Sequence, residues 1–151
     1  MKQDYFLKQL EEELVVALGC TEPVAVAYAA ALAKQQAGIG QVLSIDLKAS
    51  VNIYKNAMGV YIPGTHEMGA SMAAALGAVG GNPKLGLQVL QDLTASHIEE
   101  ARVLNAQASI KTSPAPENTP SLYIDVIVKT KNHKGRAVVA WKHDLIMELE
   151  R

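Results

Sequence analysis

Apolar residues recur along this chain with two distinct periods. Leu7, Leu10, Leu14 and Leu18 fall three and four residues apart, with Lys8, Gln9 and Glu11 to Glu13 between them. That spacing predicts a helix with one apolar stripe and an exposed opposite face. Gly19 marks its end. Thr21, Glu22 and Pro23 then provide a capping hydroxyl, a carboxylate suited to the positive end of a helix dipole, and a first-turn proline. A second helix is therefore expected to run to about Gln36. Its sequence, VAVAYAAALAKQQ, is apolar on every side until Lys34, which places it centrally in the fold.

From Leu43 to Tyr54 the period changes to two. Leu43, Ile45, Leu47, Ala49, Val51 and Ile53 alternate with Ser44, Asp46, Lys48, Ser50, Asn52 and Tyr54, which predicts a strand with one packed and one polar face. KNAMGVYIPGT (55–65) reads as a loop punctuated by Gly59 and Pro63-Gly64, with Thr65 as the cap of the next helix. In that helix Gly69, Ala73 and Gly77 recur every four residues and give a smooth face for close backbone contact. GGNP (80–83) interrupts it. Asn82-Pro83 opens a third amphipathic helix carrying Leu85, Val89, Leu90 and Leu93, and Ser96 with Glu99 has the form of a capping box for a fourth, ending near Asn105.

After Gln107 the pattern turns to strands. ASIKT (108–112), LYIDVIVKT (122–130) and RAVVAW (136–141) are β-like, SPAPENTP (113–120) is a proline-rich connection, and KNHKG (131–135) is a hairpin turn. KHDLIMELE (142–150) fits either a last strand or a short helix. A helical block with strands on both sides predicts a single α+β domain over residues 1–151, its mainly antiparallel sheet packed against the helices.

Composition narrows the function classes. Of 151 residues, 49% are hydrophobic and 19% charged, a globular balance in a chain long enough for a real core. With only 5% aromatic residues, that core must be built from Ala, Val, Leu, Ile and Met. The net charge of −1 and the lack of a Lys/Arg cluster leave no electrostatic footprint for nucleic acid. The apolar stretches near 23–33 and 68–80 are shorter than the roughly 20 residues that span a bilayer, so no membrane partner is expected. The start, MKQDYFLKQLEEELVV, is too acidic for a signal or transit peptide, and one cysteine allows no internal disulfide. These features together give a cytoplasmic reading.

Two places could carry chemistry. Cys20 sits at a helix start, where unpaired backbone N–H groups and the dipole favour thiolate; the alternative is a small buried residue in a tight corner. In SVNIYKNAMGVYIPGTHEMG (50–69), Ser50 and Asn52 share a face of the expected strand, Lys55 and Asn56 follow, and Gly59 and Gly64 let backbone approach a ligand. With N–H groups near Thr65, the set suits a small polar anion; the alternative is an ordinary strand–loop–helix connection. GxxxxGK[ST] is absent, so nucleotide binding has little support. His66, His97, His133 and His143 form no HxxxH or HExxH pairing and suggest no zinc site.

Together, ALGCTEPVAVAYAAA (17–31) and SVNIYKNAMGVYIPGT (50–65) resemble the N-terminal signature of the L-cysteine desulfidase family, related to the iron–sulfur L-serine dehydratase alpha chain. AAALGAVGGNPKLGLQVL (73–90), LYIDVIV (122–128) and His143 agree in type and order. The resemblance implies the N-terminal part of a lyase that converts L-cysteine to pyruvate, ammonia and sulfide with a [4Fe–4S] cluster as Lewis acid. It makes Cys20 one cluster ligand and Ser50, Asn52, Lys55, Asn56 and Thr65 substrate-pocket residues. Lys55 would pair with the substrate carboxylate or, if desolvated, act as base. Because the other cluster cysteines are absent, the chain alone is expected to hold no cluster and to be inactive. The expected partners are L-cysteine or L-serine, a C-terminal polypeptide supplying the missing ligands, and a second copy of the chain. The alternative reading is a non-catalytic module that binds an amino acid or carboxylate, or that serves in assembly.

Overall fold

The computed structural model describes residues 22–141 and 145–150, so the expected first helix and Cys20 lie outside the described residues, as does His143. The element order is α1 (Glu22–Ala37), β1 (Ser44–Ala49), α2 (Val51–Met58), α3 (Ala70–Gly80), a 3-10 segment (Pro83–Gln88), α4 (Ala95–Ala106), β2 (Ile110–Pro114), β3 (Leu122–Lys129), β4 (Lys134–Trp141) and β5 (Leu145–Glu150). The strands form one sheet in the order β2-β1-β3-β4-β5. Among the described strands only the β1–β2 pair is parallel, with helices intervening between those two strands, and the other three pairs are antiparallel. The α+β class with a mainly antiparallel sheet is as expected.

The register places Ile45, Leu47 and Ala49 of β1 opposite Val128, Val126 and Ile124 of β3, and Val126 and Ile124 opposite Ala137 and Val139 of β4. All eight are buried in a single core face. Helix α1 lies on that face against β3 and β4, and α3 packs on its other side. Thirteen of the sixteen α1 residues are buried, which is why its sequence carries no polar stripe before Lys34.

Two glycines make this sandwich possible. A Cβ on Gly77 of α3 would lie 2.0 Å from the Ala27 carbonyl oxygen, and one on Gly135 of β4 would lie 2.1 Å from the Ala33 carbonyl oxygen. The α1 backbone is thus gripped from both sides at distances no side chain permits. Of the expected Gly69–Ala73–Gly77 face, Gly77 makes the close approach, whereas Gly69 precedes α3 with φ +96 and open space where a Cβ would stand. Ala73, Gly77 and nearly all of α1 are buried, in keeping with the central place its sequence gives that helix.

Several boundaries differ from the sequence reading. The strand over 43–54 stops at Ala49, and Ser50 becomes the residue before α2, so Asn52 and Tyr54 are helical and KNAM (55–58) is no loop. Ile53 and Ala57, four apart, are the buried residues of α2, which satisfies a helical period as well as the alternation did. Thr65 caps no helix; α3 starts at Ala70. The third helix is a 3-10 segment kinked at Gly86, with φ +59 and ψ −126. The capping box of α4 is built from Thr94 and His97, two residues earlier than Ser96 and Glu99. KHDLIMELE contributes a strand, β5. No helix among the described residues is long and apolar enough to cross a membrane.

Candidate functional site

The segment singled out for chemistry folds into α2 and the turn after it. Ser50 ends β1 by exchanging hydrogen bonds with β3: its N–H donates to the Tyr123 carbonyl at 3.0 Å, and its Oγ accepts from the Tyr123 N–H at 3.1 Å. Both of its polar groups are thus engaged in holding the strand end. Tyr54 fixes the helix to the parallel pair, its hydroxyl lying 2.6 Å from the Ser113 carbonyl and 3.2 Å from the Leu47 carbonyl. Burial pushes the Tyr54 phenol above its ordinary value.

After α2 the chain makes a compact turn. The Thr65 N–H donates to the Ile62 carbonyl at 3.0 Å, with Pro63 and Gly64 between them and Gly64 at φ +80, the geometry of a type II turn. Thr65 Oγ1 donates to the Ile62 carbonyl and accepts from the Glu67 N–H, so this hydroxyl holds the turn. Arg102 of α4 reaches Glu67 at 3.0 Å and anchors the turn from outside, which keeps its guanidinium charged beyond the ordinary range. Gly69 N–H donates to the Ala57 carbonyl at 3.1 Å, returning the chain to the end of α2.

Asn56 makes the informative contact. Its Nδ2 donates to Glu22 Oε1 at 3.0 Å, joining the last turn of α2 to the first turn of α1 across 34 residues of sequence. Glu22 is only 4% exposed, and its second oxygen, Oε2, is buried with no hydrogen-bond partner among the described residues. The helix dipole favours a carboxylate at this position. It does not supply the missing hydrogen bond, and a buried carboxylate oxygen without one carries an uncompensated desolvation cost.

Asn52, Lys55 and Asn56 lie exposed on α2. Lys55 is exposed and makes no ion pair among the described residues. Of the expected pocket, then, Asn56 is drawn to Glu22, Asn52 and Lys55 share its helix, and Ser50 and Thr65 are engaged in structure. Sequence reading assigned Glu22 only to the helix dipole; its burial and its link to Asn56 are tertiary facts.

Two other features lie apart. An open pocket of about 320 Å³ is lined by Val24, Pro63, Gly64, Leu87, Gln88, Leu90 and Gln91. Val24 and Glu22, two residues apart on a helix, face directions about 200° apart, so the carboxylate is not part of it. On the sheet face away from α1, Arg136 grips buried Asp125 through two bonds of 3.0 and 2.9 Å and also pairs with Glu150 across the β4–β5 ladder. These carboxylates, Asp125 first, hold the guanidinium protonated well beyond its ordinary range.

Relatives give the chain a wider frame. It is 44% identical over 147 residues to a UPF0597 protein of Oleidesulfovibrio alaskensis, a match covering 97% of the chain and 34% of the relative. A UPF0597 protein of Aeromonas hydrophila is 41% identical over 147 residues, covering 97% of the chain and 33% of the relative. One from Kosmotoga olearia is 44% identical over 144 residues, covering 94% and 34%. The chain thus spans about a third of the length of the curated relatives it matches. No protein-family model matches it, and no solved structure matches it.

The name UPF0597 specifies no reaction, and no L-cysteine desulfidase or serine dehydratase name occurs among these relatives. The resemblance drawn from ALGCTEPVAVAYAAA and SVNIYKNAMGVYIPGT is corrected accordingly: the measured similarity is to UPF0597 proteins. The readings attached to it, an iron–sulfur lyase acting in cysteine catabolism, lose their support. The described residues contain no group of three His, Cys, Asp or Glu side chains that could hold a metal ion.

Proposed function

We propose that this chain is a small-molecule-binding module of a longer protein, and that it recognises its ligand through a cationic N–H group placed against Glu22. The observation that carries this reading is Glu22 Oε2, a buried acceptor without a partner among the described residues, on a carboxylate whose other oxygen is fixed by Asn56. A primary ammonium group offers both what is missing there, a compensating charge and a donor. The Asn56 carbonyl oxygen adds a neutral acceptor on the same side chain that positions Glu22. Lys55, the preceding residue of α2, is an exposed cation suited to an anionic substituent on the same ligand. A cytoplasmic setting fits a chain with one cysteine and no means of forming an internal disulfide.

Calorimetric titration with primary ammonium compounds, from methylammonium to small zwitterions, tests the reading. The expected result is saturable binding that Glu22→Gln abolishes and that tetramethylammonium, which has the charge but no N–H, does not reproduce. Equal affinity in Glu22→Gln would refute the assignment.

A further inference from the structure

The described residues expose eight large apolar side chains, and four of them fall between residues 51 and 68: Val51 at 60% exposure, Met58 at 70%, Tyr61 at 58% and Met68 at 45%. Scattered singly, exposed apolar residues need no explanation. These are not scattered. Val51 and Met58 are seven apart on α2, which puts them on one line along the helix, with Lys55 between them. The Gly69 N–H bonded to the Ala57 carbonyl brings Met68, the residue before Gly69, next to the end of the helix that carries Met58. Tyr61 stands edge-on to His66 at 5.7 Å within the same turn.

The surroundings favour a protein occupant. The exposed arc of α2 carries Asn52, Lys55 and Asn56 as its polar residues and no carboxylate, and Glu67 in the adjoining turn is already paired with Arg102. An apolar patch with a polar rim and little net charge is the make-up of a protein interface core. Helix α2 itself is short, eight residues with two buried, so outside contacts would add much to its order. The relatives supply the occupant: each aligns with nearly all of this chain over a third of its own length, leaving about two thirds as further polypeptide.

We infer that the face formed by Val51, Met58, Tyr61 and Met68 is a docking surface for the polypeptide that makes up the other two thirds of such a relative. The inference stands apart from the ligand at Glu22, since it rests on exposed apolar area and relative length alone. If both hold, the docked polypeptide borders the α2 arc that carries Asn52, Lys55 and Asn56 and helps enclose the ligand site.

Hydrogen exchange on the intact Oleidesulfovibrio alaskensis relative and on this chain tests it. Amides of the segment 51–69 are expected to exchange at least tenfold more slowly in the intact relative than in this chain, while core amides of α1 agree after correction for global stability. Equal exchange in 51–69 overturns the inference. Sedimentation of this chain adds a second check: the wild type and Met58→Lys are both expected to be monomeric through this face. A dimer that Met58→Lys dissociates makes the occupant a second copy, and also overturns it.

Discussion

Helices α1 and α2 are next to each other at the Glu22–Asn56 contact and differ in almost everything else. Helix α1 buries thirteen of sixteen residues and is gripped by Gly77 and Gly135 at backbone distance. Helix α2 buries only Ile53 and Ala57, and is held by Tyr54 and by the Ser50–Tyr123 exchange at its start. The scaffold helix is fixed by shape, and the site helix by a few directional bonds. Such a division lets the α2 surface vary or take a ligand without disturbing the core, because its exposed residues have little packing to lose.

The largest effects should come from the grip on α1. Gly77→Ala or Gly135→Ala drives a Cβ into a carbonyl oxygen of α1, and each is expected to cost about 3 kcal/mol or more, since backbone cannot yield as a side chain can. Urea denaturation of either variant measures this; a loss below about 1 kcal/mol would show that the helix can slide away and that the sandwich is looser than described.

Next comes the charged network on the opposite sheet face. Asp125→Ala removes both of its bonds to Arg136, with an expected loss of about 2 kcal/mol, because Asp125 is buried and hydrogen bonds to charged groups are the stronger kind. Glu150→Ala should cost less, its carboxylate being exposed. Comparing the two variants by thermal unfolding checks that order.

Tyr54→Phe isolates the directional hold on α2 and should cost about 1 kcal/mol at neutral pH. Burial raises the Tyr54 phenol above its ordinary value near pH 10, so the folded chain keeps that proton when the unfolded chain releases it. Its contribution is therefore complete below about pH 10 and lost as pH rises through the folded value. The wild type should lose stability in that alkaline window more steeply than Tyr54→Phe; parallel pH profiles would assign the hold to packing alone. At the small end, Val51→Ser and Met58→Ser should change the stability of this chain by less than about 0.5 kcal/mol, as exposed residues do.

The same contrast explains what the sequence revealed. Helix α1 was legible from Thr21-Glu22-Pro23 and from an apolar run too long for a strand, and β3 and β4 from their β-branched runs. Around Ser50 the reading failed because Ala49, Val51 and Ile53 continue the alternation of β1 by coincidence. The helix used Ile53 and Ala57 instead, and over so short a stretch both periods fit. At α4 the Ser96-Glu99 pattern drew the cap two positions too late, because His97 Nδ1 accepts from the Thr94 N–H in the place where the usual pattern has a Glu or Gln. Of the site, Asn56 was named, but its partner was not. A carboxylate in a helix first turn is common and usually solvated, so neither the burial of Glu22 nor the contact across 34 residues had a local signature.

The most direct measurement of the central claim is the stability of Glu22→Gln without ligand, by urea denaturation beside the wild type. If Oε2 is kept open for a ligand, removing the buried charge while keeping an acceptor for Asn56 should leave stability unchanged or raise it by about 1 kcal/mol, with ammonium binding lost. A loss of about 2 kcal/mol or more would contradict this, because it would mean that the carboxylate serves the fold and is not waiting for a partner.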